Sequence, residues 1–199
     1  DDDVDILHKA IVRHLSALSA RKLDKKQQAR LQGSLAVANY LENMADVVET
    51  NLVSAGLRRT RHDVTISPGT QEILQALTDK VVWAVRRSVR SVRRNEPSAA
   101  HEVIGAKADV TSLAEDANDR LMERLGAPEA HRMDAFRVES EVVEGLKRIY
   151  YLAKRIAYTV AQGDWPLEVH PRKTKKRKKK KTQKKKAKRE PKKGKSKSS

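Results

Sequence analysis

Between Leu31 and Ala55 apolar side chains recur at steps of four and three: Leu31, Leu35, Ala38, Leu41, Ala45, Val48, Leu52 and Ala55. A period near 3.6 sustained over so many residues excludes a strand and predicts one long helix, residues 24–59, with a seam that needs partners. Val37, Tyr40, Met44 and Val47 carry apolar character around to other sides of the same helix, so more than one neighbour is expected. Leu41 and Leu52, on the seam, are expected to be buried against the fourth and fifth helices of the chain. Glu42 and Glu49 fall on the flank of the seam, with Asp46 just beyond. Their carboxylates either reach water from the rim of the seam or belong to a cluster that binds a cation.

The remaining chain reads as further helices. Leu7, Ile11, His14 or Leu15, and Leu18 form the stripe of a first helix that Asp3 or Asp5 would cap. Asp24 is the expected cap of the long helix, and Gly56 with the basic stretch after it the expected end. Ser67 and Pro68 open a third helix that runs to about Arg94 through Leu74, Leu77, Val81, Ala84 or Val85, Ser88 and Val92. A fourth, residues 98–125, carries Val103, Ala106, Val110, Leu113, Ala117, Leu121 and Leu125. A fifth, residues 129–162, carries Met133, Phe136, Val143, Leu146, Ile149, Leu152 or Ala153, Ile156 and Val160, with Gly163 and Pro166 to stop it. Short connections between long helices imply antiparallel neighbours, so the expected fold is all-α, an elongated antiparallel bundle of about five helices. Aromatic residues make up only 4% of the chain, which suits a core of Leu, Val, Ile and Ala packed between helices.

Charge divides the chain in two. Residues 171–199 hold 18 Lys and Arg against a single acid, Glu190, so residues 1–170 keep 25 of the 43 basic and 25 of the 26 acidic residues and are formally neutral. The whole net charge of +17 therefore belongs to the tail, and the organisation expected is a helical body, residues 1–165, followed by a linker and disordered Lys-rich tail, residues 166–199. Lys175, Lys176, Arg177, Lys178, Lys179, Lys180, Lys181, Lys184, Lys185 and Lys186 are its candidate polyanion-binding residues. With no aromatic side chain among them, contact with nucleic acid would be to the backbone, non-specific and salt-sensitive. Contact with anionic lipid would use the same lysines.

Arg86, Arg90 and Arg93 share one face of the third helix, either as an anion site or as a solvated face paired with acids of a neighbouring helix. No HExxH, GxxxxGK[ST] or GxSxG pattern occurs and there is no cysteine, so nothing marks the chain as an enzyme. No run approaches the ~20 apolar residues of a membrane-spanning helix. The opening DDD without an initiator Met reads as the start of a fragment or a processed product.

The segment YLENMADVVETNL resembles the Glu-x-x-x-Asp signature of the PhoU family of phosphate-transport regulators, with Glu42 and Asp46 on its two acids. The helical order over residues 1–165 is similar to the PhoU-like cytoplasmic domain at the C-terminus of bacterial sodium/phosphate cotransporters. That resemblance implies an all-helical PhoU-like domain of repeated three-helix units in which such acids can hold iron or zinc. It also implies a regulatory role in phosphate uptake at the cytoplasmic face of the bacterial inner membrane, with the transmembrane portion of the transporter upstream of Asp1 as partner. A second motif is expected in GLKRIYYLAKRIAYTV, where Lys147 stands in place of the Glu and Tyr151 in place of the Asp. The expectation for metal is accordingly weak binding or none. The alternative function is a soluble nucleic-acid-associated protein that holds polyanions through its tail.

Overall fold

A computed structural model describes residues 2–126, 128 and 131–162. Gly163, Pro166 and the tail residues Lys175 to Lys186 lie outside the described residues. The body is an all-α helical bundle without strands among the described residues. Its elements are α1 (Asp2–Ser19), α2 (Lys25–Val47), a π-helical turn (Val48–Val53), α3 (Ser54–Arg61), α4 (Pro68–Arg94), α5 (Pro97–Gly105), α6 (Lys107–Leu125) and α7 (Arg132–Ala161). Because α2, the π turn and α3 run on without a break, as α5 and α6 do but for a kink, these elements make the five rods that the sequence predicts.

The helix starts follow local chemistry. Asp24 caps α2 by accepting from the Gln27 amide at 2.8 Å, and the Gln27 side chain accepts from the Asp24 amide at 3.0 Å, a reciprocal capping box. Ser67 accepts from the Thr70 amide ahead of Pro68, and α4 ends on Asn95 in the left-handed region at φ 50°, which Asn tolerates better than most residues. The first helix differs from expectation: it already includes Asp2, so Asp3 and Asp5 sit inside its first turn, where they favour the dipole, instead of capping it.

α7 is the axis. It packs against α2, the π turn, α3, α4, α5 and α6, whereas among the described elements α1 packs only on α2. At 1.5 Å per residue α7 is about 45 Å long, enough for one end to serve α6 and the other the start of α2. Leu77, Val81 and Ala84 of α4, Val103 and Ala117 of α5 and α6, and Val143, Ala153, Ile156 and Val160 of α7 form the interior. Gly145 lets α7 approach the π turn closely, since a Cβ there would stand 2.9 Å from Leu52 Cδ2. At the far end the Arg155 Nε donates to the Tyr40 hydroxyl at 3.1 Å, so α2 and α7 run antiparallel.

Further expectations are corrected. Leu41 is 38% exposed and Val48 is 44% exposed, while Val37, Met44 and Val47 are buried. The π turn supplies the reason. Its extra residue lets the buried stripe step by five from Val47 to Leu52 and then to Ala55, so the core of α2 and α3 splices together the two stripes of the sequence. Thr50 and Ser54, whose hydroxyls bond the Asp46 and Glu49 carbonyls at 2.6 and 3.5 Å, compete with the regular ladder there. The fourth helix is interrupted at Gly105 and Ala106, and the carbonyl of Val103 is taken by the Tyr150 hydroxyl at 2.9 Å. Met133, counted to the core of α7, is 57% exposed, and α7 begins at Arg132, not 129.

In its place Arg132 and Glu139 are buried. Arg132 Nη2 donates to Glu139 Oε2 at 2.8 Å, and Arg124 stands 3.7 Å from Oε1 while donating to Thr70 Oγ1 at 3.1 Å. Glu139 is thereby the point where the start of α4, the end of α6 and the start of α7 meet.

Glu139→Ala should lower unfolding stability by about 3–5 kcal/mol, because it leaves buried guanidinium without its counter-charge. Leu77→Ala should cost about 2–5 kcal/mol and Leu41→Ala under about 1 kcal/mol. Urea unfolding followed by circular dichroism measures all three, and equal losses for the two leucines would contradict the rotated face of α2.

Candidate functional site

Glu42 and Asp46 are half-buried on α2, on the flank where Asn39 meets the His8 ring of α1 at 2.9 Å. They stand one helical turn apart, as their spacing requires. Two carboxylates on one helix make an incomplete set for iron or zinc, which take four or more donors. Among the described residues no group of three or more His, Cys, Asp or Glu is placed to hold a metal ion. On α7 the corresponding Lys147 and Tyr151 are exposed, and the Lys147 ammonium donates to Glu144 at 2.6 Å.

Lys147 and Tyr151 line something else. Between α6 and α7 runs an open groove of about 240 Å³, floored by Val110, Ala114 and Tyr150 and rimmed by Lys107, Lys147 and Lys154. Among the described residues that line it Glu115 is the one acid, and Lys147 is already paired with Glu144. Burial holds the Lys154 ammonium below its ordinary value, and the charges of Lys107 and Arg155 push it the same way. Burial also raises the Tyr150 phenol to about 12, with Tyr158 and Asp109 adding to the effect. Excess positive charge around an apolar floor favours an anion over a cation. Periodicity along one helix could not reveal this groove, because its lysines come from two helices that only the fold brings together.

The arginines of α4 divide between the two readings the sequence left open. Arg87 makes a two-pronged pair with Glu102 at 2.5 and 2.7 Å, and Arg90 reaches Glu96 at 2.8 Å. The hydrogen bond from Arg87 holds Glu102 below its ordinary value. Arg86, Arg93 and Arg94 make no ion pair among the described residues, and with Val85 and Val89 they line a shallow groove on the outer face of α4. So of the three residues proposed as an anion face, Arg90 is neutralised and Arg86 and Arg93 are not.

Compared with models of known families, with curated proteins and with solved structures, the chain matches none.

Adding zinc or ferric iron should leave the melting temperature unchanged, for the chain and for the Glu42→Gln, Asp46→Asn double variant alike. A rise abolished by that variant would mean that donors outside the described residues complete the site. Tyr150 makes a pH prediction. Its folded value lies above the ordinary 10.0, so the native state holds the phenolic proton longer than the unfolded chain. That contribution is complete below pH 10 and is lost as the pH rises towards 12. Tyr150→Phe should cost about 1 kcal/mol at neutral pH and flatten the alkaline slope of stability, which thermal melts from pH 8 to 11.5 would read.

Proposed function

We propose that the chain is a PhoU-like regulatory module of a sodium-dependent phosphate transporter, modulating phosphate uptake at the cytoplasmic face of the bacterial inner membrane. The observation that carries the reading is the direct packing of α2 on α7. The helix bearing the Glu42-x-x-x-Asp46 motif lies antiparallel to the helix bearing its altered copy, tied at Tyr40–Arg155 and Leu52–Gly145. A repeat whose two motif helices face each other is what the resemblance implies for such a domain. The module acts by contact and not by catalysis, with the transmembrane part of the transporter as its partner. No helix among the described residues is long and apolar enough to cross a membrane, so that part has to be supplied from outside them.

In this reading metal is dispensable. Where the resemblance would put acids, α7 contributes Lys147 to the cationic groove, which suits inorganic phosphate or another small oxyanion as effector. The Lys-rich tail then holds the module against anionic lipid, each lysine near the surface adding about 1 kcal/mol.

A second reading, a soluble protein that binds nucleic acid non-specifically through the tail, gains support from Arg86, Arg93 and Arg94, which add unpaired positive charge to the body.

Deleting the coding region for residues 1–199 in the organism that carries it should change sodium-dependent phosphate uptake, measured with radiolabelled phosphate. Unchanged uptake under both phosphate-rich and phosphate-poor growth would sink the transporter reading. To separate the two, the full chain and residues 1–170 should be compared on anionic vesicles and on duplex DNA across salt. The transporter reading expects the shortened chain to bind neither and the full chain to lose DNA as salt rises. Salt-resistant binding of a particular nucleic acid by residues 1–170 would replace it with the second reading.

A further inference from the structure

α1 is an 18-residue helix with no buried residue, resting among the described elements on α2 alone. Helices of that length are marginal in water unless packing supports them, and here only one side is supported. Val4, His8, Val12 and Leu15 turn towards α2 and are partly covered. A second stripe runs beside it: Leu7, Ile11, His14 and Leu18 follow at steps of four, three and four, and while Leu18 at its end is partly covered, His14 is exposed, Leu7 is 63% and Ile11 44% exposed. Ile6 beside them is 65% exposed, and Leu41, from the unused seam of α2, is 38% exposed. With α1 antiparallel to α2, helical geometry sets the Leu7–Ile11 stripe and Leu41 on the same side of the hairpin.

We propose that this side of the α1–α2 hairpin is a dimer interface, closed by a second copy of the chain related by a two-fold axis. The charges of α1 select that occupant. Its first turn holds Asp2, Asp3 and Asp5, its last turn has no base, and Arg21 and Lys22 follow directly. Two copies of α1 laid antiparallel bring Leu7 against Leu18 and Ile11 against His14, and set the acidic first turn of each copy beside the Arg21 and Lys22 that follow the last turn of the other, with both ends matched at once. Asp3, Arg21 and Lys22 have no ion pair among the described residues, so they are available for it. Asp5 is shared with Lys9 of its own helix at 3.0 Å. A hairpin about 27 Å long and roughly 20 Å wide offers on the order of 500 Å² per copy, so the pair would bury about 1,000 Å², the lower bound of specific interfaces. Two-fold pairing is also the commonest closed symmetry and needs only this one patch. The inference stands independently of the transporter reading.

Sedimentation equilibrium of the 199-residue chain should give a reversible dimer of the 22.4 kDa protomer, with a micromolar dissociation constant. Leu7→Glu and Ile11→Glu, at exposed positions, should each weaken it at least tenfold while the circular dichroism and the melting of the body stay the same. Asp3→Lys should weaken the dimer, and adding Lys22→Glu should restore it, which only antiparallel pairing of α1 with itself does. A monomer up to on the order of 100 µM would overturn the proposal and leave the hairpin face to a helix of another kind. A dimer indifferent to Leu7→Glu, or one that the paired charge reversal fails to restore, would overturn it as well.

Discussion

The carboxylate of Glu139 is fully buried, and the way the chain neutralises it fixes the rest of the bundle. Taking such a charge out of water costs several kcal/mol, recovered only when counter-charges and hydrogen bonds are well placed. Arg132 sits seven residues earlier on the same helix, and Arg124 comes from the end of α6 with Thr70 behind it. The three segments cannot shift along one another without leaving a buried charge alone. Arg132 Nε and Nη1 and Glu139 Oε1 make no hydrogen bond, so the cluster is not at its electrostatic optimum. Its contribution is register: it sets where α7 begins relative to α4 and α6.

Everything else hangs on α7. Once its N-terminal end is fixed, Val143, Ala153, Ile156, Ala157 and Val160 fill the space against α4, α5 and α6 with no access to water. The opposite side takes α2 at two kinds of contact, a glycine where Leu52 presses in and a guanidinium bond from Arg155 to Tyr40. The result is asymmetric. α4, α5 with α6, and α7 close on one another as three rods, while α1 and α2 remain a pair open on one side. Stability is accordingly concentrated in the second half of the chain.

How far the sequence foretold this depended on whether a signal was local. Caps at Asp24 and Ser67, the stop at Arg94 and the seams of α4 and α7 from Val143 onwards were legible because each depends on neighbours within a few residues. The phase of α2 was not. The seam from Leu31 to Ala55 holds only for a straight helix, and one π turn at Val48–Val53 sets Leu41 and Val48 outside the core and Val47 within it. Glu139 was illegible for a related reason: a carboxylate on an apolar stripe reads as an interruption until its two arginines, one of them fifteen residues back, are seen beside it. At the candidate sites the pair Glu42 and Asp46 was visible as spacing. A metal site also needs donors from other helices, and no spacing rule supplies those.

Formal neutrality of residues 1–170 conceals a separation of charge that the fold makes physical. Acids gather at the start of α1, arginines without an ion pair among the described residues on the outer face of α4, and lysines around the groove between α6 and α7. Solvated ion pairs such as Arg87–Glu102 add little to stability, because water and salt screen them and the side chains lose freedom in forming them. The fold is held instead by apolar seams and one buried cluster. The surface charges left unpaired are therefore under little constraint from folding, and each patch presents a definite sign. A lysine held below its ordinary value, as Lys154 is by burial and by Lys107 and Arg155, is relieved when an anion enters beside it.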